Sequence, residues 1–191
     1  MSQQAVATLF VYGAILLLVT AAVWDALTLT IPNPLVVAVL ALYVVSLAVS
    51  FNSSSILFDL LGGAIVFAVC FALFALGWLG GGDAKLAPGA ALWVGFGGLL
   101  HFLVAMTLVG GLLAIVLLIV RGGLRPTATQ ENLPVALRWA SPVPYGIAIS
   151  AGAILVLWLQ NRTVFPDLLW FRFAPRIGVL LDQIERSCCS V

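Results

Sequence analysis

Long apolar stretches separated by short polar turns dominate this chain of 191 residues. The stretches are continuous and do not alternate with polar positions, which indicates buried or membrane helices rather than half-buried strands. A transmembrane helix needs about 20 apolar residues. The block from 84 to 120 is too long for one such helix, so we divide it at Gly97–Gly98 and place the turn at Leu99–Leu100. The predicted spans are 7–24, 35–49, 56–79, 84 to the break, the break to 120, and 145–159.

Composition indicates that the solvent of this chain is lipid. Hydrophobic residues make up 63% of it and charged residues 8%, against about 25% charged residues in soluble domains. Open sheets do not span a bilayer, because their unpaired backbone groups would lie in hydrocarbon. We therefore predict an all-α fold, a polytopic membrane helix bundle with about six transmembrane helices in contact with the lipid bilayer. The formal net charge of +1 comes from scattered basic residues, which predicts no nucleic-acid partner.

The chain is predicted to form one transmembrane domain over residues 1–160, followed by a C-terminal tail over residues 161–191. In the tail, four apolar residues share one helical face, which predicts an amphipathic helix lying on the membrane surface. These residues are Ile177, Leu180, Leu181 and Ile184.

Metal-binding residue types are scarce. The chain has three cysteines, one histidine (His101) and no C-x-x-C spacing. A zinc site needs about three or four protein ligands. We predict neither a metal site nor a cofactor.

Two lone aspartates near span ends are the candidate reactive groups. Asp25 follows one predicted crossing and Asp83 follows three, so both emerge on the same face. An ionisable residue at membrane depth is costly and is interpreted first as functional. The positive-inside rule places this face at the cytoplasm, whereas the basic residues of the tail favour the opposite orientation. The basic residues beside the two aspartates are Lys85, Arg121, Arg125 and Arg138, and those of the tail are Arg162, Arg172, Arg176 and Arg186.

Two neighbouring carboxyl groups can share one proton, as in a two-aspartate hydrolase. The ionised carboxyl would activate water and the neutral one would donate a hydrogen bond to the scissile carbonyl. A helix N-terminus favours the charge on Asp83 and a helix C-terminus disfavours it on Asp25, so Asp83 is the predicted ionised partner. The structural alternatives are an N-cap for Asp83 and a solvated interfacial charge for Asp25.

The residues around Asp83 also suggest contacts with substrate. The run Gly80–Gly82 permits close approach of an extended substrate backbone, although a simple turn between helices is the alternative. Lys85 would hold substrate backbone or adjust the carboxylate. Its alternative role is that of a snorkelling lysine that fixes orientation.

Three motifs resemble those of the prepilin peptidases, the GxGD aspartic family of type IV leader peptidases. Asp25 followed by Ile31-Pro32-Asn33 resembles their first aspartate motif. The segment Gly80-Gly81-Gly82-Asp83-Ala84-Lys85-Leu86 resembles the GxGD signature followed by a lysine. The segment Pro144-Tyr145-Gly146-Ile147-Ala148 resembles the Pro-Tyr-Gly opening of the last helix. The chain is most similar to the short, peptidase-only branch that serves Flp (tight-adherence) pili.

The resemblance implies a multi-pass aspartic endopeptidase of the bacterial inner membrane. Its partner would be a prepilin or pseudopilin, cleaved at the cytoplasmic membrane edge to release a basic leader. Asp25 and Asp83 would be the catalytic pair, and Gly80 and Gly82 the signature glycines. Methyltransferase activity is not predicted, because the paired C-x-x-C motifs of the larger branch have no counterpart here.

The sequence departs from the family where basic residues usually follow the first aspartate, since residues 26–30 are Ala-Leu-Thr-Leu-Thr. The tail is also longer than this branch leads us to expect. The alternative function is a non-enzymatic membrane component of pilus or secretion-system assembly. A small ion or solute carrier is a weaker hypothesis, because both acids stand at span ends and not at mid-span.

Overall fold

The computed structural model describes residues 3–50, 56–123 and 143–161. These residues form helices, with no strand among them, and the predicted all-α membrane helix bundle is confirmed. The helices are α1 (Gln3–Thr28), α2 (Asn33–Ser50), α3 (Ile56–Ala75), α4 (Gly81–Gly123) and α5 (Tyr145–Asn161).

Three of the helices are long and apolar enough to cross a membrane, and α2 and α5 are shorter apolar helices. Large apolar side chains cover the outside of the bundle, where they would face lipid rather than water. The three candidate spans are Val6–Thr28, Ile56–Ala75 and Gly81–Gly122, and examples of the outward side chains are Leu16, Leu57, Phe71, Leu108 and Leu118.

The helix α4 contains a break at Gly95, which has φ 73° and ψ 166°. The break is therefore not at Gly97–Gly98, and Leu99–Leu100 are helical rather than a turn. Glycine tolerates a positive φ because it has no Cβ. The backbone N–H of Phe96, freed by the break, donates a 3.0 Å hydrogen bond to Oδ1 of Asp59 on α3. The predicted number of about six crossings stays a prediction.

The helix α3 ends at Ala75, before the predicted end at Leu79. Gly77 has φ 75°, and the Trp78 N–H donates to the Leu73 carbonyl at 2.9 Å. This positive-φ glycine and its long return bond are the features of a Schellman C-cap. The cap ends α3 just before the glycine run that leads into α4.

The first half of α4 forms the centre of the bundle, and small residues there and on its neighbours allow close packing. A Cβ on Gly63 of α3 would lie 2.5 Å from Cδ2 of Leu92, and one on Gly152 of α5 would lie 2.9 Å from the Met106 nitrogen. The buried core includes Leu18 and Ala21 of α1, Val36 of α2, Val66 of α3, Leu86, Ala87, Ala90, Ala91, Val94 and Phe102 of α4, and Ile149 and Ala153 of α5.

The chain divides into two compact units, residues 1–158 and 159–191. The bundle belongs to the first unit. In the second unit the structure describes the last turn of α5. The predicted amphipathic helix of the tail lies outside the described residues, and the division into a 1–160 domain and a 161–191 tail stays a prediction.

Candidate active site

Asp25 lies in the last turn of α1, with 3% of its surface exposed. The helix ends just beyond it, where Leu29 adopts φ 54° and its N–H donates to the Asp25 carbonyl at 2.8 Å. The buried carboxyl has a hydrogen-bond partner far along the chain, because the Gly146 N–H donates to its Oδ2 at 2.8 Å. The first turn of α5 therefore lies directly against Asp25.

Asp83 lies in the first turn of α4, directly after the glycine run. The turn begins with the Ala84 N–H donating to the Gly80 carbonyl at 3.0 Å. Asp83 is partly buried, and among the described residues its Oδ1 has no hydrogen-bond partner. A Cβ on Gly80 would lie 3.1 Å from Oδ2 of Asp83, so a side chain at Gly80 would crowd this carboxyl.

Both carboxyl groups line a single cavity of about 300 Å³ and interact electrostatically. A water molecule occupies about 30 Å³ in the liquid, so this volume corresponds to about ten waters. The cavity is lined by Asp25, Leu29, Thr30, Ile31, Gly80, Gly81, Gly82 and Asp83. The lining combines two acids with a backbone-rich surface that an extended chain can approach closely.

Ile31 packs between two glycines that come from different parts of the chain. A Cβ on Gly82 would lie 3.0 Å from Cβ of Ile31, and one on Gly146 would lie 2.9 Å from its Cδ1. The same Cβ on Gly146 would lie 2.7 Å from Oδ2 of Asp25. Both glycines therefore leave the space that lets the Ile-Pro-Asn segment and the two aspartates share one cavity.

Lys85 is exposed and is not among the residues that line the cavity. Its Nζ donates to Oδ1 of Asn33 at 3.1 Å, which joins the first turn of α4 to the first residue of α2. This contact links Lys85 to the last residue of the Ile-Pro-Asn segment. The side chain thus ties two helix ends together beside the cavity.

The structure brings four of the five predicted site residues together at the cavity, namely Asp25, Gly80, Gly82 and Asp83. The catalytic and substrate-binding roles predicted for these residues and for Lys85 stay predictions. Sequence reasoning did not assign Gly146 and Ile31 to the site. A glycine N–H and an apolar side chain carry no chemical signature, and the signal available was their place in two recognisable motifs.

The molecule is thus a membrane helix bundle that gathers two carboxyl groups from distant helix ends at one cavity, a class of protein equipped for acid–base chemistry. The sequence model of the Type IV leader peptidase family matches residues 12–115, which include both aspartates. The chain belongs to the type IV leader peptidase family, whose members are proteases with prepilin substrates in general. No significant match was found among curated proteins or among solved structures.

Proposed function

We propose that this chain is an aspartic endopeptidase that removes the basic leader of type IV prepilin-like subunits at the cytoplasmic edge of the membrane. Asp25 and Asp83 are the catalytic pair in this proposal. The reaction is hydrolysis of one peptide bond, with water activated by one carboxyl and the scissile carbonyl polarised by the other.

The observation that carries the proposal is the meeting of Asp25 and Asp83 at one cavity in a member of a protease family. The two residues come from the end of α1 and the start of α4. A structural N-cap or an isolated interfacial charge would not require a second carboxyl in the same cavity. Acid–base hydrolysis requires such a pair, with environments that give the two groups different protonation states.

The glycine run supports a role in substrate binding. Gly80, Gly81 and Gly82 all line the cavity, so the wall next to Asp83 is largely backbone. An extended substrate segment can lie against this wall and bring its carbonyl close to both carboxyls. Side chains at these positions would fill the space that the substrate needs.

The finer features of the proposal rest on the motifs and on charge distribution. The GxGD-like segment and the Ile-Pro-Asn segment support an aspartic peptidase like that of Flp pili, without methyltransferase activity and without a cofactor. The basic residue Lys85 beside Asp83 supports a cytoplasmic position of the cavity under the positive-inside rule. The proposed location of the chain is the bacterial inner membrane, where its prepilin substrate would also be inserted.

The test is co-expression of the full chain with a candidate prepilin, scored by leader removal. Asp25→Asn and Asp83→Asn are each expected to abolish cleavage at unchanged protein level. The matched control is Asp59→Asn, which makes the same change on α3 and keeps an oxygen that accepts from the Phe96 N–H. Full leader removal in cells that carry either cavity variant would refute the peptidase proposal, and normal pilus assembly with both variants is the result that the non-enzymatic assembly role predicts.

A further inference from the structure

The two carboxyls of the cavity have different hydrogen-bonding environments. Oδ2 of Asp25 accepts the Gly146 N–H at 2.8 Å. Oδ1 of Asp83 is buried and has no partner among the described residues. A backbone donor therefore contacts the Asp25 carboxyl, whereas in the described part of the chain the buried Oδ1 of Asp83 has none.

Backbone donors stabilise the charged form of a carboxyl, because the carboxylate is the stronger acceptor. The donor at Asp25, the Gly146 N–H, belongs to the first turn of α5, where the helix N-terminus adds a favourable partial positive charge. This helix end opposes the unfavourable end of α1 that Asp25 also occupies. The prediction from α1 and α4 alone, which put the charge on Asp83, did not include α5.

We propose that the Gly146 N–H is a positioning group that holds Asp25 as the carboxylate, so that Asp25 is the general base and Asp83 carries the shared proton. This inference rests on the proposed function and assigns the two roles within it. In this assignment the Pro-Tyr-Gly segment supplies the N–H that stabilises the Asp25 carboxylate. Gly146 acts through Asp25 and does not itself touch the substrate.

The assignment gives a balanced reaction. Asp25 takes a proton from water as the water oxygen bonds to the scissile carbonyl carbon, and Asp83 gives its proton to the carbonyl oxygen. The tetrahedral diol then collapses as the C–N bond breaks. The leaving nitrogen takes the proton from Asp25, and one diol hydroxyl returns a proton to Asp83. Both acids end in their starting states.

Few other ionisable groups surround the pair in the described residues. Asp83 of α4 faces Asp25 across the cavity, and Cys70 of α3 lies within electrostatic range of Asp83. Tyr145 of α5 packs beside Gly110 rather than entering the cavity lining, and Lys85 is bonded to Asn33. Residues 26–36, which comprise the end of α1, the connection and the start of α2, contain no ionisable side chain.

The test measures the protonation of each acid alone, in the full chain reconstituted in lipid nanodiscs. Asp83→Asn leaves Asp25 as the cavity acid, and Asp25→Asn leaves Asp83. Infrared carboxyl bands are followed against pH, with the double Asn variant subtracted. We expect Asp25 to lose its proton at lower pH than Asp83, by about one to two pH units for a hydrogen bond to a charged group. Equal titration, or the opposite order, overturns the inference.

Gly146→Ala adds a second arm, since its Cβ would lie 2.7 Å from Oδ2 of Asp25 and displace that carboxyl from the N–H. The substitution is expected to move the titration of Asp25 to higher pH and to leave that of Asp83 unchanged. An equal shift of both acids overturns the positioning role. If Gly146→Ala does not fold, the inference is decided by which of the two single-acid variants loses its carboxyl proton at the lower pH. Because no cleavage is measured, this outcome is separate from the failure of the peptidase proposal, which would show as leader removal by both Asn variants.

Discussion

Replacing Gly82 with alanine tests whether the cavity depends on close contact between the glycine run and the Ile-Pro-Asn segment. A Cβ at Gly82 would lie 3.0 Å from Cβ and 3.2 Å from the backbone nitrogen of Ile31. Carbon atoms in ordinary contact are about 3.5–4.0 Å apart. No rotamer change relieves the overlap, because both atoms of Ile31 are fixed to its backbone. The first turn of α4 and the Ile31 segment must therefore separate by a few tenths of an ångström.

This separation has two expected consequences. Overpacking of this size costs about 1–3 kcal/mol of folding stability. A misplacement of about 1 Å in a catalytic constellation can cost about 100-fold in rate, so for this smaller displacement we expect leader cleavage to fall by roughly 3-fold to 10-fold. Ile31→Val should not rescue the variant, because valine retains the Cβ and the backbone nitrogen that cause the overlap.

The assay compares thermal unfolding of the purified chain with its rate of leader removal. Gly97→Ala is the matched control, because this glycine also lies in α4 and has no packing atom within 4 Å in the described part of the chain. Alanine there is expected to raise stability by about 0.5–1 kcal/mol, since glycine is the poorer helix former, and to leave cleavage unchanged. Wild-type stability and rate in Gly82→Ala would refute the packing argument.

Two further substitutions test contacts away from the two cavity aspartates. Asp59→Ala removes the acceptor of the Phe96 N–H at the α4 break and should cost about 0.5–2 kcal/mol, as loss of a helix cap does. Asp59→Asn should restore most of that stability in the same unfolding assay, and equal losses in both variants would contradict the capping role. Lys85→Ala removes an exposed hydrogen bond to Asn33 and should cost less than about 1.5 kcal/mol, with most of the cleavage rate retained. A loss of cleavage as deep as that of Asp83→Asn would show that Lys85 acts in the reaction.

The fold class could be predicted from the sequence, because a long apolar segment in lipid must satisfy its own backbone hydrogen bonds and therefore forms a helix. The ends of the helices were harder to predict. The α4 break falls at Gly95 rather than at Gly97–Gly98, since Asp59 from another helix is there to accept the freed N–H. The local sequence has three closely spaced glycines, at 95, 97 and 98, and does not show which of them has such a partner.

The parts of the candidate site that consist of reactive side chains could be predicted from the sequence. Asp25 and Asp83 stand out as lone acids in an apolar sequence, and counting crossings put them on one face. The contribution of Gly146 was not predictable in this way. It consists of a backbone N–H, delivered by a helix that begins 120 residues after Asp25, at Tyr145, and its effect on the charge of Asp25 requires the packing of α5 against α1.

The central claim is that Asp25 and Asp83 act as one catalytic unit. The most direct measurement is the single-turnover cleavage rate of a prepilin substrate by the purified chain in nanodiscs, for each Asn variant and for the double variant. Groups that act as a unit give strongly non-additive losses, so we predict that the double variant is no slower than either single variant. Near wild-type cleavage by either single variant, or losses that multiply in the double variant, would contradict the account.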